Sequence, residues 1–196
     1  MLAGDPRLRE EVASWYREHL ALDLRVDEPR KREIRIVLRK LHEAAFDIDL
    51  IDTGEGLSQV LPVLTALAMA DLRDTTDGAS IIAVEEPEAH LHPTLQRALA
   101  QRVCEVAARG SSRIVLETHS RQFLLAMQHA ILTGTIAADD IMMYWVWQRD
   151  DGRGVAEPVT LTEFARLRGA WPSDAFDTES ELAADIQDLR DAKEGG

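Results

Sequence analysis

The segment 81–93, IIAVEEPEAHLHP, constrains the fold of this chain more than any other stretch. Residues 79–84 are apolar without alternation, which predicts a short strand in a sheet covered on both faces. The run leads straight into two adjacent carboxylates, Glu85 and Glu86, then a proline and a turn holding His90 and His92. A second apolar run, 113–116, ends similarly at Glu117-Thr118-His119-Ser120. Between them, residues 94–109 place Leu95, Leu99, Val103 and Val106 on one helical face, with Gly110 as the stop. Ser120 can cap a further helix carrying Phe123, Leu124, Met127 and Ile131 and ending at Gly134. Strand, helix, strand, helix over 79–132 predicts an α/β layer with parallel strands.

The flanks are read in the same terms. Residues 7–20 carry Val12, Trp15, Tyr16 and Leu20 at helical spacing. A charged link is expected over 27–32. Residues 33–41 alternate Ile34, Ile36 and Leu38 with charge, as a half-buried strand does, and Phe46, Ile48 and Leu50 repeat the pattern. Thr53-Gly54-Glu55-Gly56 leads into an apolar helix expected over 58–72, with Pro62 near its start, where a missing amide hydrogen costs little. Residues 74–78 read as a turn. Residues 141–147 and 155–161 read as the arms of a hairpin about Asp150-Asp151-Gly152-Arg153-Gly154. Trp171-Pro172 opens a tail expected to form an aromatic corner and a polar helix. The fold class that results is α/β: a mostly parallel sheet flanked by helices, then a β-hairpin and a helical tail. The expected segments are 1–49, 50–140 and 141–196.

Composition narrows the function. The net charge of −13 opposes binding to nucleic acid phosphates, which rests on Lys and Arg. No apolar run reaches the roughly 20 residues of a membrane helix, and residues 1–12 have no apolar core of the signal-peptide kind. A cytoplasmic setting is expected. The single cysteine, Cys104, excludes an internal disulfide and fits a buried position on an amphipathic helix. Acidic residues recur through 174–194, as a solvated helix face or a contact for a basic partner.

The carboxylate pair carries the chemistry. Ligands of α/β sheets gather at the carboxyl ends of the strands, where Glu85 and Glu86 fall. One carboxylate can hold a hydrated magnesium ion while its neighbour orients or deprotonates a water. His119, between a strand and a helix N-terminus, can donate to a phosphate oxygen or serve as an ordinary capping histidine. Glycines before a helix let backbone amides approach an anion, so Gly54 and Gly56, with Ser58 and Gln59, form a candidate binding loop or a plain turn. His90 and His92, with Glu88 and His119, could build a zinc-type site, although no further Cys or Asp cluster supports it. The phosphate-gripping pattern G-x-x-x-x-G-K-[ST] is absent from the 196 residues, and Lys31, Lys40 and Lys193 are the only lysines.

Three motifs in this order resemble the C-terminal half of an ABC-type ATPase head of the RecF/OLD-like branch, related more distantly to SMC proteins. G-E-G-L-S-Q-V-L-P-V-L is similar to the signature segment, I-I-A-V-E-E-P-E-A-H-L-H-P to the Walker B strand and D-loop, and L-E-T-H-S to the switch-histidine loop. The resemblance covers residues 50–135, and W-P-S-D-A-F is similar to a tail found in some members. It implies ATP and Mg²⁺ as cofactors, with Glu85 supporting the metal, Glu86 as catalytic base and His119 at the γ-phosphate. It places Gly54, Gly56, Ser58 and Gln59 against the nucleotide of the opposite head in a head-to-head dimer. Glu85 stands where many ABC ATPases have aspartate, and Gly54 where the signature serine is common. The expected whole is a partial P-loop NTPase, inactive alone, whose Walker A comes from a partner chain or a missing N-terminal segment. DNA repair or anti-phage defence is implied, with DNA or a nuclease reached through partners. Two other readings stand beside it: a regulatory or assembly subunit that keeps the fold, and a metal-dependent hydrolase on the His90/His92/Glu88 cluster.

Overall fold

A computed structural model describes residues 2–30, 33–41, 46–73, 80–110, 112–172 and 186. The chain divides into two compact units, Met1–Ile136 and Ala137–Gly196.

In the first unit, helix α1 (Pro6–Leu20) starts where the Asp5 carboxylate accepts from the amides of Arg7 and Leu8, with Pro6 in the first turn. Those amides have no acceptor inside the helix, so the cap satisfies two orphans. Strands β1 (Leu22–Arg30) and β2 (Glu33–Lys40) pair antiparallel, and β3 (Ile48–Asp49) adds a short third strand beside β2. Helices α2 (Glu55–Asp71), α3 (Pro93–Ala108) and α4 (Arg121–Leu132) alternate with strands β4 (Ser80–Glu85) and β5 (Ser112–Glu117). The last two pair in parallel, Ser80 opposite Ser112 through to Glu85 opposite Glu117. The second unit contains the antiparallel sheet β6 (Met143–Gln148), β7 (Gly154–Leu161) and β8 (Leu167–Gly169). Trp171 packs edge-on against Trp145, with ring centres 5.4 Å apart.

The strand-helix alternation over 80–132 is α/β as expected. Several expectations are corrected. The described strands are not mostly parallel: only β4 and β5 are, and the other two sheets are antiparallel. The reason is connectivity, since a parallel pair needs a crossover and only α3 supplies one, whereas β1–β2 and β6–β7 join through short links. The charged link expected over 27–32 is strand as far as Arg30, because Leu24 is buried opposite Leu38 and draws the segment into register. The strand expected around 46–50 shrinks to Ile48–Asp49, and Asp49 then caps a 3-10 turn at Leu50–Asp52. Helix α2 begins at Glu55, so Pro62 lies in its interior rather than its first turn. The carbonyl of Ser58 thereby lacks a helical donor at Pro62. The turn over 74–78 and nearly all of the tail helix lie outside the described residues.

The core of the first unit lies between α1, α2 and α3, with Tyr16, Leu67, Leu99 and Val106 fully enclosed. The Tyr16 hydroxyl donates to the carbonyl of Leu57 at 2.6 Å, pinning α1 to the first turns of α2. Burial pushes that hydroxyl well above its ordinary titration range. Asp71, with its side chain 5% exposed, closes α2 by pairing with Arg102 at 2.8 Å and with Arg109. Arg102 also reaches Glu11 on α1 at 3.3 Å, so three helices share one charged knot.

One expectation about covering fails in an informative way. In β4 and β5, burial alternates residue by residue. Ile82, Ile114 and Leu116 pack against the core, while Ile81 and Val115 are 71% and 59% exposed. The strand pair is therefore covered on one face and open on the other. Parallel sheets are normally buried on both.

Candidate functional site

Glu85 ends β4, and Glu86 follows it with φ of 43°, a left-handed backbone that costs a side-chain-bearing residue about 1–2 kcal/mol. Two hydrogen bonds hold it there. Its amide donates to the carbonyl of Glu117 at 2.8 Å, and its carbonyl accepts from the amide of Ala89 at 3.0 Å. The turn thus swings Glu86 across the end of β5. There its carboxylate lies 3.7 Å from Nε2 of His119. The two side chains are 57% and 76% exposed, so the pair sits at an open rim. Glu85 points to the open face of the strand pair, beside Glu117, its register partner.

The histidine loop is held from beneath. Glu88 is charged in type yet buried, 7% exposed. Its Oε1 accepts from the Thr118 hydroxyl at 2.6 Å and from the His119 amide at 2.8 Å. Thr118 Oγ1 in turn accepts from the Ser120 amide at 3.1 Å. Ser120 Oγ accepts from the amides of Gln122 and Phe123, capping α4 as expected, and donates to Gln96 on α3 at 2.7 Å. Gln96 Nε2 donates back to the carbonyl of Leu91 at 3.0 Å. Composition and periodicity did not single out Glu88 for this role, or Gln96 and Glu117 for any. The signal was the spacing of Glu88 two residues after Glu86 in a turn, which places it under the neighbouring strand end.

The residues of the candidate binding loop lie on another side of this turn. Gly54 caps α2 with open space around it. Gly56 is buried, and a Cβ there would stand 2.5 Å from the carbonyl oxygen of His90. Ser58 Oγ donates to the Glu55 carbonyl at 2.9 Å, and Gln59 is exposed. Glu55 lies 3.4 Å from His90 Nδ1. The structure therefore brings Glu86 and His119 together, leaves Glu85 on the open strand face beside Glu117, and sets the first turn of α2 against His90 and Leu91.

The zinc-type grouping is not formed. Among the described residues no three His, Cys, Asp or Glu side chains come together to hold a metal. Glu88 is turned inward to Thr118, His90 faces Glu55, and His92 Nδ1 caps α3 by accepting from the Thr94 amide at 3.4 Å. Magnesium is a different case. It uses hard oxygen donors, keeps several waters and needs only one or two carboxylates beside substrate phosphates. Glu85, with Glu117 at its side, matches that donor set.

No helix among the described residues is long and apolar enough to cross a membrane. A family profile described as "AAA domain, putative AbiEii toxin, Type IV TA system" matches residues 4–126. No curated protein matches the sequence. A solved structure described as "Structural biochemistry of ATP-driven dimerization and DNA stimulated activation of SMC ATPases" is similar with a TM-score of 0.53 at 12% identity, over 90% of this chain and 91% of that one. A second, described as "Crystal structure of the SmcHead bound to the C-winged helix domain of ScpA", has a TM-score of 0.52 at 13% identity, over 80% of this chain and 43% of that one. At such identities the likeness is one of fold.

Proposed function

The chain belongs to the AAA domain family that matches residues 4–126, and on that premise we propose that it is the Walker B and signature half of an ATP-hydrolysing head. The observation that carries this reading is the 3.7 Å approach of Glu86 to His119 at the carboxyl ends of two paired parallel strands. Glu85 would hold Mg²⁺, which when bound neutralises charge on the phosphates. Glu86 accepts the proton of the attacking water. His119 donates to a γ-phosphate oxygen and, by its contact with Glu86, keeps base and phosphate contact in one place.

The grip on the phosphates comes from a Walker A segment or subunit outside these 196 residues, within the RecF/OLD-like branch. Two features support this. The sequence has no phosphate loop. The strand pair β4–β5 leaves Ile81 and Val115 exposed on its outer face and is joined to no other described strand, as a sheet awaiting completion would be. A head-to-head dimer follows, with Gly54, Ser58 and Gln59 turned to the nucleotide of the opposite head and Gly56, buried against His90, seating that turn rather than facing the nucleotide. Its support is the fold shared with SMC heads, for which ATP-driven dimerization is described. Anti-phage defence or DNA repair is the setting proposed, with DNA or a nuclease engaged through partners.

Calorimetry with Mg-ATP tests the split. The chain alone is expected to give no binding heat, and the chain joined to a segment bearing G-x-x-x-x-G-K-[ST] to bind. Equal binding by the chain alone would reject the split. The alternative is a regulatory subunit that keeps the fold for assembly, favoured by the missing phosphate loop. Biological function that survives Glu86→Gln and His119→Ala together would select it.

A further inference from the structure

Glu88 is in neither the proposed metal set nor the proposed acid-base pair, yet it is the most deeply buried carboxylate near them. Glutamate is seldom buried without a partner for each oxygen. Here Oε1 takes two donors, and Oε2 is buried with no partner among the described residues. A polar atom left so needs a reason, because water would have satisfied it. Satisfying those two donors accounts for Oε1 but leaves Oε2 without a reason. The place of the two donors gives one. Thr118 Oγ1 and the His119 amide both belong to the loop that presents His119, and Glu88 lies in the turn that presents Glu86.

We propose that Glu88 is a positioning residue that fixes the His119 loop against the Glu86 turn, so that the exposed imidazole meets the exposed carboxylate. The inference rests on the catalytic reading above. The geometry is a short lever. Both site side chains are more than half exposed, so side-chain packing does little to set their direction. Their relation must be fixed at the backbone. A charged acceptor holding an amide is roughly twice as strong as a neutral one. The Glu88–His119 bond spans residues 31 apart in sequence and links the two loops directly. Gln96 adds a second strut, bonding Leu91 in one loop and Ser120 in the other. Glu88 carries the charge, and Gln96 keeps the spacing.

The test uses two readouts on Glu88→Ala and Glu88→Gln. The first is hydrogen exchange of the His119 amide in the chain alone, without nucleotide. Exchange is expected to quicken about tenfold in Glu88→Ala, and less in Glu88→Gln, which keeps a neutral acceptor. The amides of Val12 and Tyr16 in α1 serve as the unaffected reference. The second is ATP turnover after completion with a phosphate-loop segment. There kcat is expected to fall about 10- to 100-fold in Glu88→Ala with KM unchanged, and Glu88→Gln to recover part of it. Unchanged exchange at His119 overturns the proposal, and so does faster exchange with unchanged kcat. If Glu88→Ala does not fold, Glu88→Gln decides by the same criteria. If the completed wild-type enzyme has no turnover, the catalytic reading fails, while the exchange result still decides whether Glu88 holds the loop.

Discussion

Gly56 and His90 meet so closely that a Cβ on Gly56 would stand 2.5 Å from the His90 carbonyl oxygen. The first turn of α2 is thereby seated on the same turn that carries Glu86 and Glu88. The atom met is backbone, so it cannot swing aside as a side chain would. We predict that Gly56→Ala costs about 1–3 kcal/mol, the usual range for overpacking. Gly54→Ala, with open space around its Cβ, should cost well under 1 kcal/mol, as surface changes do. Urea unfolding of the two variants checks the contrast. Equal losses would contradict it.

The charged knot of Asp71, Arg102, Arg109 and Glu11 should be the most sensitive polar feature of the first unit. Asp71 is nearly buried, so removing its charge leaves the mostly buried Arg102 with only the more exposed Glu11 and Glu105 in compensation. Asp71→Asn is predicted to destabilise by about 3 kcal/mol. Glu105→Gln, at an exposed 3.4 Å pair with the same arginine, should change stability by less than about 1 kcal/mol. Thermal unfolding of both variants decides.

Alkaline pH provides a further check. Burial pushes the Cys104 thiol up to about 11 and raises the Tyr16 hydroxyl further still. A folded-state pKa above the unfolded value means that the folded chain holds the proton more tightly. The stability due to Cys104 is therefore complete below pH 9, its unperturbed value, and is lost as pH rises towards 11. Tyr16 adds a further loss above pH 10. Stability is predicted to fall steadily from pH 9 upward, and Cys104→Ala should flatten the first part of that fall. A thiol reagent at pH 8 should label Cys104 only as fast as the chain unfolds. Immediate labelling of the native protein would contradict the burial argument.

The sequence made the helices and the parallel pair legible because their signals are local. Apolar spacing, Ser120 as a cap, and Gly110 and Gly134 as stops, both of which adopt positive φ, act within a few residues, whereas the Asp5 cap of α1 came only with the structure. The openness of the outer sheet face was not legible. An apolar run looks the same whether this chain or another polypeptide covers it, and Ile81 and Val115 read as buried until the packing was seen. Strand β1 was missed because its pairing depends on Leu38, across the hairpin, rather than on its own charged composition. At the site, Glu85, Glu86 and His119 could be named from motif order, but the inward turn of Glu88 could not. Which way a turn aims a carboxylate depends on φ values that the sequence does not state, such as the 43° at Glu86. The same turn explains why His90 and His92, two apart in sequence, make no shared site: one faces Glu55 and the other caps α3.

The account depends most on Glu86 acting as the base that His119 keeps in place. ATP turnover of the chain completed by a neighbouring-gene product or a fused segment carrying G-x-x-x-x-G-K-[ST], measured for wild type and Glu86→Gln, tests this directly. The predicted result is a fall in kcat of at least about 100-fold with nucleotide binding retained. Turnover in Glu86→Gln equal to that of the wild type would contradict it.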